Sequence, residues 1–244
     1  MAGRLGIPAT IFVPEWVDPV KLAGITAAGA AARREGESFD DAEASALAYA
    51  RDVGATYVSA YDDPHVIAGQ GTIAFEIADA LGGPPAEVVA PLSGGGLIGG
   101  IAAAFAAVGE DRPRIVAASA ERAAVMLASV RAGRPVELPE EETLANALAG
   151  GIGPDNRHSF PLVRDRVDAH VTVTEAEIAA AIRYAVERLR LVVEGGGAVA
   201  LAALLGADAA PEGHEGGAGR RGPLVAVLSG GNVGLDTLAR VPAG

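Results

Sequence analysis

The chain has 244 residues, half of them hydrophobic, enough to bury a sizeable core in one large domain or two smaller ones. A net charge of −12 disfavours nucleic-acid phosphates and anionic membranes as partners. The absence of cysteine excludes disulfides, thiolate metal sites and a cysteine nucleophile.

The opening stretch, MAGRLGIPATIFVPEW, lacks the charged start and long apolar middle of a signal peptide, and no run is long and uniform enough to span a bilayer. A cytoplasmic protein is therefore expected. Residues 7–14 (IPATIFVP) read as a short strand and 18–30 as a helix. Residues 40–54 read as a clearer helix, acidic at its start and ended by Gly54. A strand over 55–61 and a helix over 64–83, with Pro64 in its first turn, come next. Strands over 87–92 and 114–119 then alternate with helices over 97–109 and 121–133. Strand 170–174 leads into a helix opened by a Thr174/Glu177 capping box, with Ile178, Ile182, Ala185 and Leu189 on one face. A helix over 197–206, a polar Gly-rich loop over 207–222 and a last strand running into a loop over 223–232 complete the reading, with no internal repeat. Continuous apolar strands alternating with helices predict an α/β fold, a parallel sheet covered on both faces.

The segment VVAPLSGGGLIGGIAAAF (88–105) is strand, glycine turn, helix. Glycines let backbone amides approach an anion, and the following helix adds its positive end, so a phosphate is the natural ligand. A dinucleotide is the rival: Gly94-x-Gly96-x-x-Gly99 matches G-x-G-x-x-G, with Glu121 at a plausible distance for a ribose contact. In a third reading the glycines merely permit tight packing.

Five segments occur in order: DDPHVIAGQGTIAFEI (62–77), PLSGGGLIGG (91–100), LAGGIG (148–153), VVEGGGAVALAAL (192–204) and VLSGGN (227–232). Together they resemble the fold-type-II pyridoxal-phosphate (PLP) enzymes, of the tryptophan synthase β-like fold. The specific likeness is to the threonine/serine dehydratases, with the dehydratases of hydroxyectoine utilisation as a near variant. The resemblance implies two open, parallel-rich sheets with flanking helices: a small domain over 1–60, incomplete here, and a large PLP-binding domain over 61–244. It implies an ammonia-lyase converting L-threonine, L-serine or a related β-hydroxy amino acid to a 2-oxo acid and ammonia. The partner is then a small-molecule amino acid, with no nucleic acid or membrane, and a homo-oligomer is compatible.

Residue by residue, the resemblance implies that Ser93, Gly94, Gly95, Gly96 and Leu97 cup the PLP phosphate. Ser229 meets the pyridine nitrogen, Glu194 lies beside the cofactor, and Gly151 in GGIG lines the ring through its backbone. Glu194 also suits a helix N-terminus on dipole grounds alone. Some members bind a divalent cation after the strand equivalent to 114–119; Ser119 and Val125 stand at the ligand positions here, so no metal site is expected. His65, His158, His170 and His214 show no ligand spacing.

The family's Schiff-base lysine, in Ser-x-Lys-x-Arg-Gly, and its Gly-Asn-His motif have no counterpart. Lys21, the single lysine, is read as an ordinary helix residue. The expectation is thus of an enzyme lacking its N-terminal segment and impaired as it stands, with sheet edges and apolar surface exposed. Two competing expectations are a non-catalytic remnant that binds phosphate ligands or partners, and a nicotinamide-dependent oxidoreductase.

Overall fold

A computed structural model of the chain describes residues 2–107, 109–206 and 222–241. They fall into two units, Met1–Val58 with Asn232–Leu235, and Ser59–Gly231 with Asp236–Gly244. The Gly-rich loop expected over 207–222, with His214, lies almost wholly outside the described residues.

In the first unit, β1 (Thr10–Val13), α1 (Pro19–Ala27) and β2 (Ala31–Arg34) make a crossover that brings the two strands together in parallel. Asp18 opens α1 by accepting the Val20 amide at 2.7 Å, with Pro19 just behind it. α2 (Phe39–Val53) begins in a reciprocal capping box between Ser38 and Asp41 and stops at Gly54, which turns left-handed at φ 69°. The Arg33 guanidinium lies 4.5 Å from the centre of the Tyr49 ring, which also stacks obliquely on Phe12. The sequence does not announce β2, whose AARR has no strand-like alternation. Conversely, the strand expected over 55–61 is not formed. Residues 55–59 join no strand ladder, and the Tyr57 hydroxyl donates to Glu43 at 2.6 Å. An apolar run is only a strand if another strand offers it hydrogen bonds.

The second unit opens with α3 (Pro64–Leu81), capped by Asp63, which accepts the His65 and Val66 amides. There follow β3 (Glu87–Pro91), α4 (Gly96–Ala106), β4 (Arg114–Ala120), α5 (Val125–Ala132), α6 (Ser159–Arg166) and β5 (Ala169–Val173). Then come α7 (Glu175–Tyr184), α8 (Gly195–Gly206), β6 (Leu224–Ala226) and α9 (Leu235–Ala239), which starts in the first unit. The four strands form a wholly parallel sheet in the order β5-β4-β3-β6.

Alternation along the strands builds two cores. Val88, Ala90, Ile115 and Ala117 face one way, onto Ile98 and Ile101 of α4, Met126 of α5 and Val163 of α6. Val89, Val116 and Ala118 face the other way, onto Ile178 and Ile182 of α7 and Val199 of α8. Nine consecutive residues of α8, Gly195 to Ala203, are buried, as a helix apolar on every side requires.

At the amino ends of the strands, polar side chains latch neighbours together. Arg114 of β4 meets the nearly buried Glu87 of β3 at 2.9 Å. Arg112 grips Asp168, just before β5, through two 2.7 Å bonds, and Asp168 also accepts the Ile115 amide. Burial pushes the Asp168 carboxyl up. The bonds from Arg112 and the Ile115 amide, with the charges of Arg112 and Arg114, outweigh it and hold the carboxyl below its usual range.

The helical face read from Ile178, Ile182, Ala185 and Leu189 is buried at its first three positions only. From Ala185 to Leu189 the chain winds as a π-helix, which rotates Leu189 off the stripe and leaves it 42% exposed. Arg190 then takes a left-handed conformation at φ 61°. Among the described residues β6 is a rim strand with an exposed Leu224, and Phe75 and Leu235 are also largely exposed.

Candidate functional site

The chain runs from β3 outward through β4 to β5, then returns to place β6 on the opposite side of β3. α4, which follows β3, packs on one face of the sheet, while Leu238 of α9, which follows β6, packs on the other. A crevice is therefore expected between the carboxyl ends of β3 and β6, where open α/β sheets bind ligands.

One wall is the glycine turn. The Leu92 amide donates to the Ala118 carbonyl at 2.8 Å, so the chain hugs β4 one residue beyond β3 before it turns. Gly95 stands at the head of α4 at φ 85° and ψ −8°, in the left-handed region that costs other residues energy. No side chain caps this helix, whose first internal bond runs from the Gly99 amide to the Gly95 carbonyl at 2.8 Å. Its leading amides and dipole are thus available to an anion. Packing contributes too: a Cβ on Gly96 would lie 2.6 Å from the Tyr61 carbonyl oxygen, and one on Gly94 2.6 Å from Tyr61 Cβ. The packing and anion readings of these glycines therefore coexist. Gly94 to Gly96 are buried, while Ser93 and Leu97 are half-buried.

The other wall is the turn after β6. The Val227 amide donates to the Val89 carbonyl at 2.9 Å, so the β3–β6 ladder continues past the strand, and exposed Ser229 follows two residues on. The Glu194 amide donates to the Gly230 carbonyl at 3.1 Å, and a Cβ on Gly230 would strike the Glu194 carboxylate. Glu194 therefore lies against the residue next to Ser229. Gly197 is pressed just as closely on the Gly230 backbone, so a glycine at this position of α8 is needed for the contact.

A third segment crosses the carboxyl end. Leu148 and Ala149 belong to one core and Ile152 to the other, with the half-buried Gly151 between them. The Ser93 hydroxyl donates to the Leu148 carbonyl at 3.0 Å and ties this crossing to the glycine turn. Ser93, Gly94, Gly95, Gly96, Leu97, Gly151, Glu194 and Ser229 thus all lie at the carboxyl end of the sheet of the second unit. Lys21 does not share that unit; it lies on α1 in the first. Ser119 is buried, with its hydroxyl 3.3 Å from the Leu92 carbonyl, and Val125 is packed in the core at the start of α5.

Sequence reading overlooked α6 and the residues around it. Asp62 accepts the amides of Arg157, His158 and Ser159, each at 2.8 Å, and so caps α6 from nearly a hundred residues away. Asn156 joins Ile152, Ser159 and Phe160. Ser159 is fully buried and donates to the Gly94 carbonyl at 2.6 Å. The one local hint is the polar series Asp155, Asn156, Arg157, His158, Ser159 before an apolar run, a pattern suited to a helix start.

An open parallel α/β unit with a helix terminus at its reversal point is an arrangement shared by many cofactor-using enzymes. The chain belongs to the pyridoxal-phosphate dependent enzyme family, whose sequence model matches residues 1–230. It is 40% identical over 242 residues to an L-threonine ammonia-lyase of Geobacter sulfurreducens, covering 98% of this chain and 57% of that one. Maize serine racemase superposes with a TM-score of 0.85 at 30% identity, over 98% of this chain and 70% of that one. A threonine deaminase from T.th. superposes with a TM-score of 0.80 at 35% identity, over 96% and 72%. Against four curated relatives the chain spans 68, 57, 56 and 46% of their length. The fold is that of the fold-type-II PLP enzymes, and the nicotinamide reading of Gly94-x-Gly96-x-x-Gly99 gives way: a Cβ on Gly99 would lie 3.2 Å from Leu162 Cβ, so this glycine serves helix packing.

Proposed function

We propose that the chain forms the cofactor-binding part of a PLP-dependent ammonia-lyase acting on L-threonine, L-serine or a related β-hydroxy amino acid. The product would be a 2-oxo acid and ammonia. The observation that carries this is the uncapped head of α4 at the reversal point of the sheet, across from Ser229.

In this reading the amides from Gly94 to Leu97 hold the phosphate with the positive end of α4 behind them, and Ser93 fixes the turn through Leu148. Ser229, exposed at the end of β6, offers a hydroxyl to the ring nitrogen. A hydroxyl there imposes less positive charge than a carboxylate would, which suits elimination of a β-hydroxyl. Glu194 borders the ring and Gly151 approaches it through its backbone. Bound PLP supplies an electron sink for negative charge at the substrate Cα. Lys21 receives no chemical role, so these residues alone are expected to bind the cofactor and turn over poorly. The assignment of a small domain to 1–60 and a PLP-binding domain to 61–244, a cytoplasmic setting and a homo-oligomeric state belong to the same proposal.

The test is equilibrium binding of PLP and of pyridoxal, which lacks the phosphate, beside an assay of 2-oxobutanoate from L-threonine. The reading expects strong preference for the phosphorylated form. Equal binding of the two, or none of either, would overturn it. Binding with no 2-oxobutanoate would favour a non-catalytic phosphate-binding role.

A further inference from the structure

We propose that Ser159 is a positioning residue for the glycine turn: its hydroxyl holds the Gly94 carbonyl against α6 and so aims the Gly95 amide at the anion. This rests on the reading of residues 93–97 as a phosphate cradle.

The proton assignment follows from distance: of the two acceptors beside the Ser159 hydroxyl, Asn156 Oδ1 lies at 3.1 Å and the Gly94 carbonyl at 2.6 Å. Asn156 Oδ1 accepts the Phe160 amide at 2.8 Å, and Asn156 Nδ2 donates to the Ile152 carbonyl at 3.1 Å and to Ser159 Oγ at 2.9 Å. Ser159 has one hydroxyl proton, and the Gly94 carbonyl at 2.6 Å is the nearer acceptor. The serine therefore receives from Asn156 and gives to Gly94. Ser159 is 0% exposed, so no water competes for that carbonyl from its side.

The consequence lies in the peptide plane. In a trans peptide the carbonyl of Gly94 and the amide of Gly95 point in opposite directions. Fixing the carbonyl toward α6 fixes the amide away from it. Two flanking glycines would otherwise let this plane flip at little cost. Ser159 is in turn held by Asp62, whose carboxylate gathers the leading amides of α6. Orienting a donor before the ligand arrives raises affinity by removing that ordering cost from binding.

Dissociation constants of the wild-type protein, Ser159→Ala and Ser159→Thr are to be measured for PLP, inorganic phosphate and pyridoxal. The expected result is about tenfold weaker binding of PLP and phosphate to the alanine variant, the cost of one lost hydrogen bond. Pyridoxal binding should be unchanged, and the threonine variant should restore the phosphate affinity. Equal weakening of all three ligands, or no weakening, would overturn the proposal. Should the alanine variant fail to fold, Ser159→Cys, nearly the same shape with a weaker donor, carries the same expectation in smaller degree, and unchanged phosphate affinity there would overturn it as well. A wild-type protein indifferent to the phosphate would instead sink the cradle reading itself.

Discussion

Replacing Gly95 by alanine should destabilise the second unit through two separable costs. The residue sits at φ 85°, where an L side chain meets its own backbone, a cost of about 1–2 kcal/mol. The new Cβ would also lie 2.8 Å from Met126 Cε and 2.9 Å from Val163 Cγ2. The methionine tip swings aside easily and the valine less so, which puts the crowding cost near the low end of the roughly 1–3 kcal/mol seen for overpacked cores. The sum is about 2–3 kcal/mol, a fall in Tm of roughly 4–12 °C for a domain of this size. Thermal unfolding followed by circular dichroism measures it. The double variant Gly95→Ala/Met126→Ala should recover part of the crowding cost but none of the backbone cost, giving a favourable coupling between the sites. A Gly95→Ala protein with an unaltered Tm would refute the placement of this residue and, with it, the geometry of the turn.

Gly69 offers the contrasting case: it is exposed within α3, with open space where a Cβ would go, so Gly69→Ala should raise stability by about 0.5–1 kcal/mol, read as a higher urea midpoint. Burial and the charge of Arg131 hold the His170 imidazole below its ordinary value of 6.5, and its Nδ1 is buried with no hydrogen-bond partner among the described residues. The unfolded chain therefore takes up this proton first as pH falls, so stability should decline from about pH 6.5 down to the folded value and level off below it. His170→Leu should flatten that slope without loss at pH 7; a slope that persists in the variant would point to other groups. Thr174→Ala removes the side chain that accepts the Glu177 amide at the head of α7 and should cost about 1 kcal/mol in chemical denaturation.

The elements that sequence alone revealed are those whose signals are local. Pro64 at the head of an apolar stripe, Thr174 with Glu177, and Gly54 after an acidic helix each mark a terminus through residues within four positions of it. The glycine turn was legible because three glycines between a β-rich run and an alanine-rich run suit little else. Ser159 and Asp62 were not legible, since their bonds to Gly94 and to the α6 amides join segments 65 to 97 residues apart. The π-helix over 185–189 escaped for a related reason. A regular stripe of apolar residues extrapolates at 3.6 per turn, and nothing in VERLR states that the winding changes. Residues 55–59 illustrate the converse, since pairing depends on a neighbour that local composition cannot supply.

The ionic latches Arg114–Glu87 and Arg112–Asp168 occupy the end of the sheet opposite the glycine turn and Ser229. Rigidity and chemistry are thereby kept at separate poles of one slab. Tethering to a support or swapping charge near the latches would leave the crevice untouched, which makes that pole the rational handle for immobilising the protein.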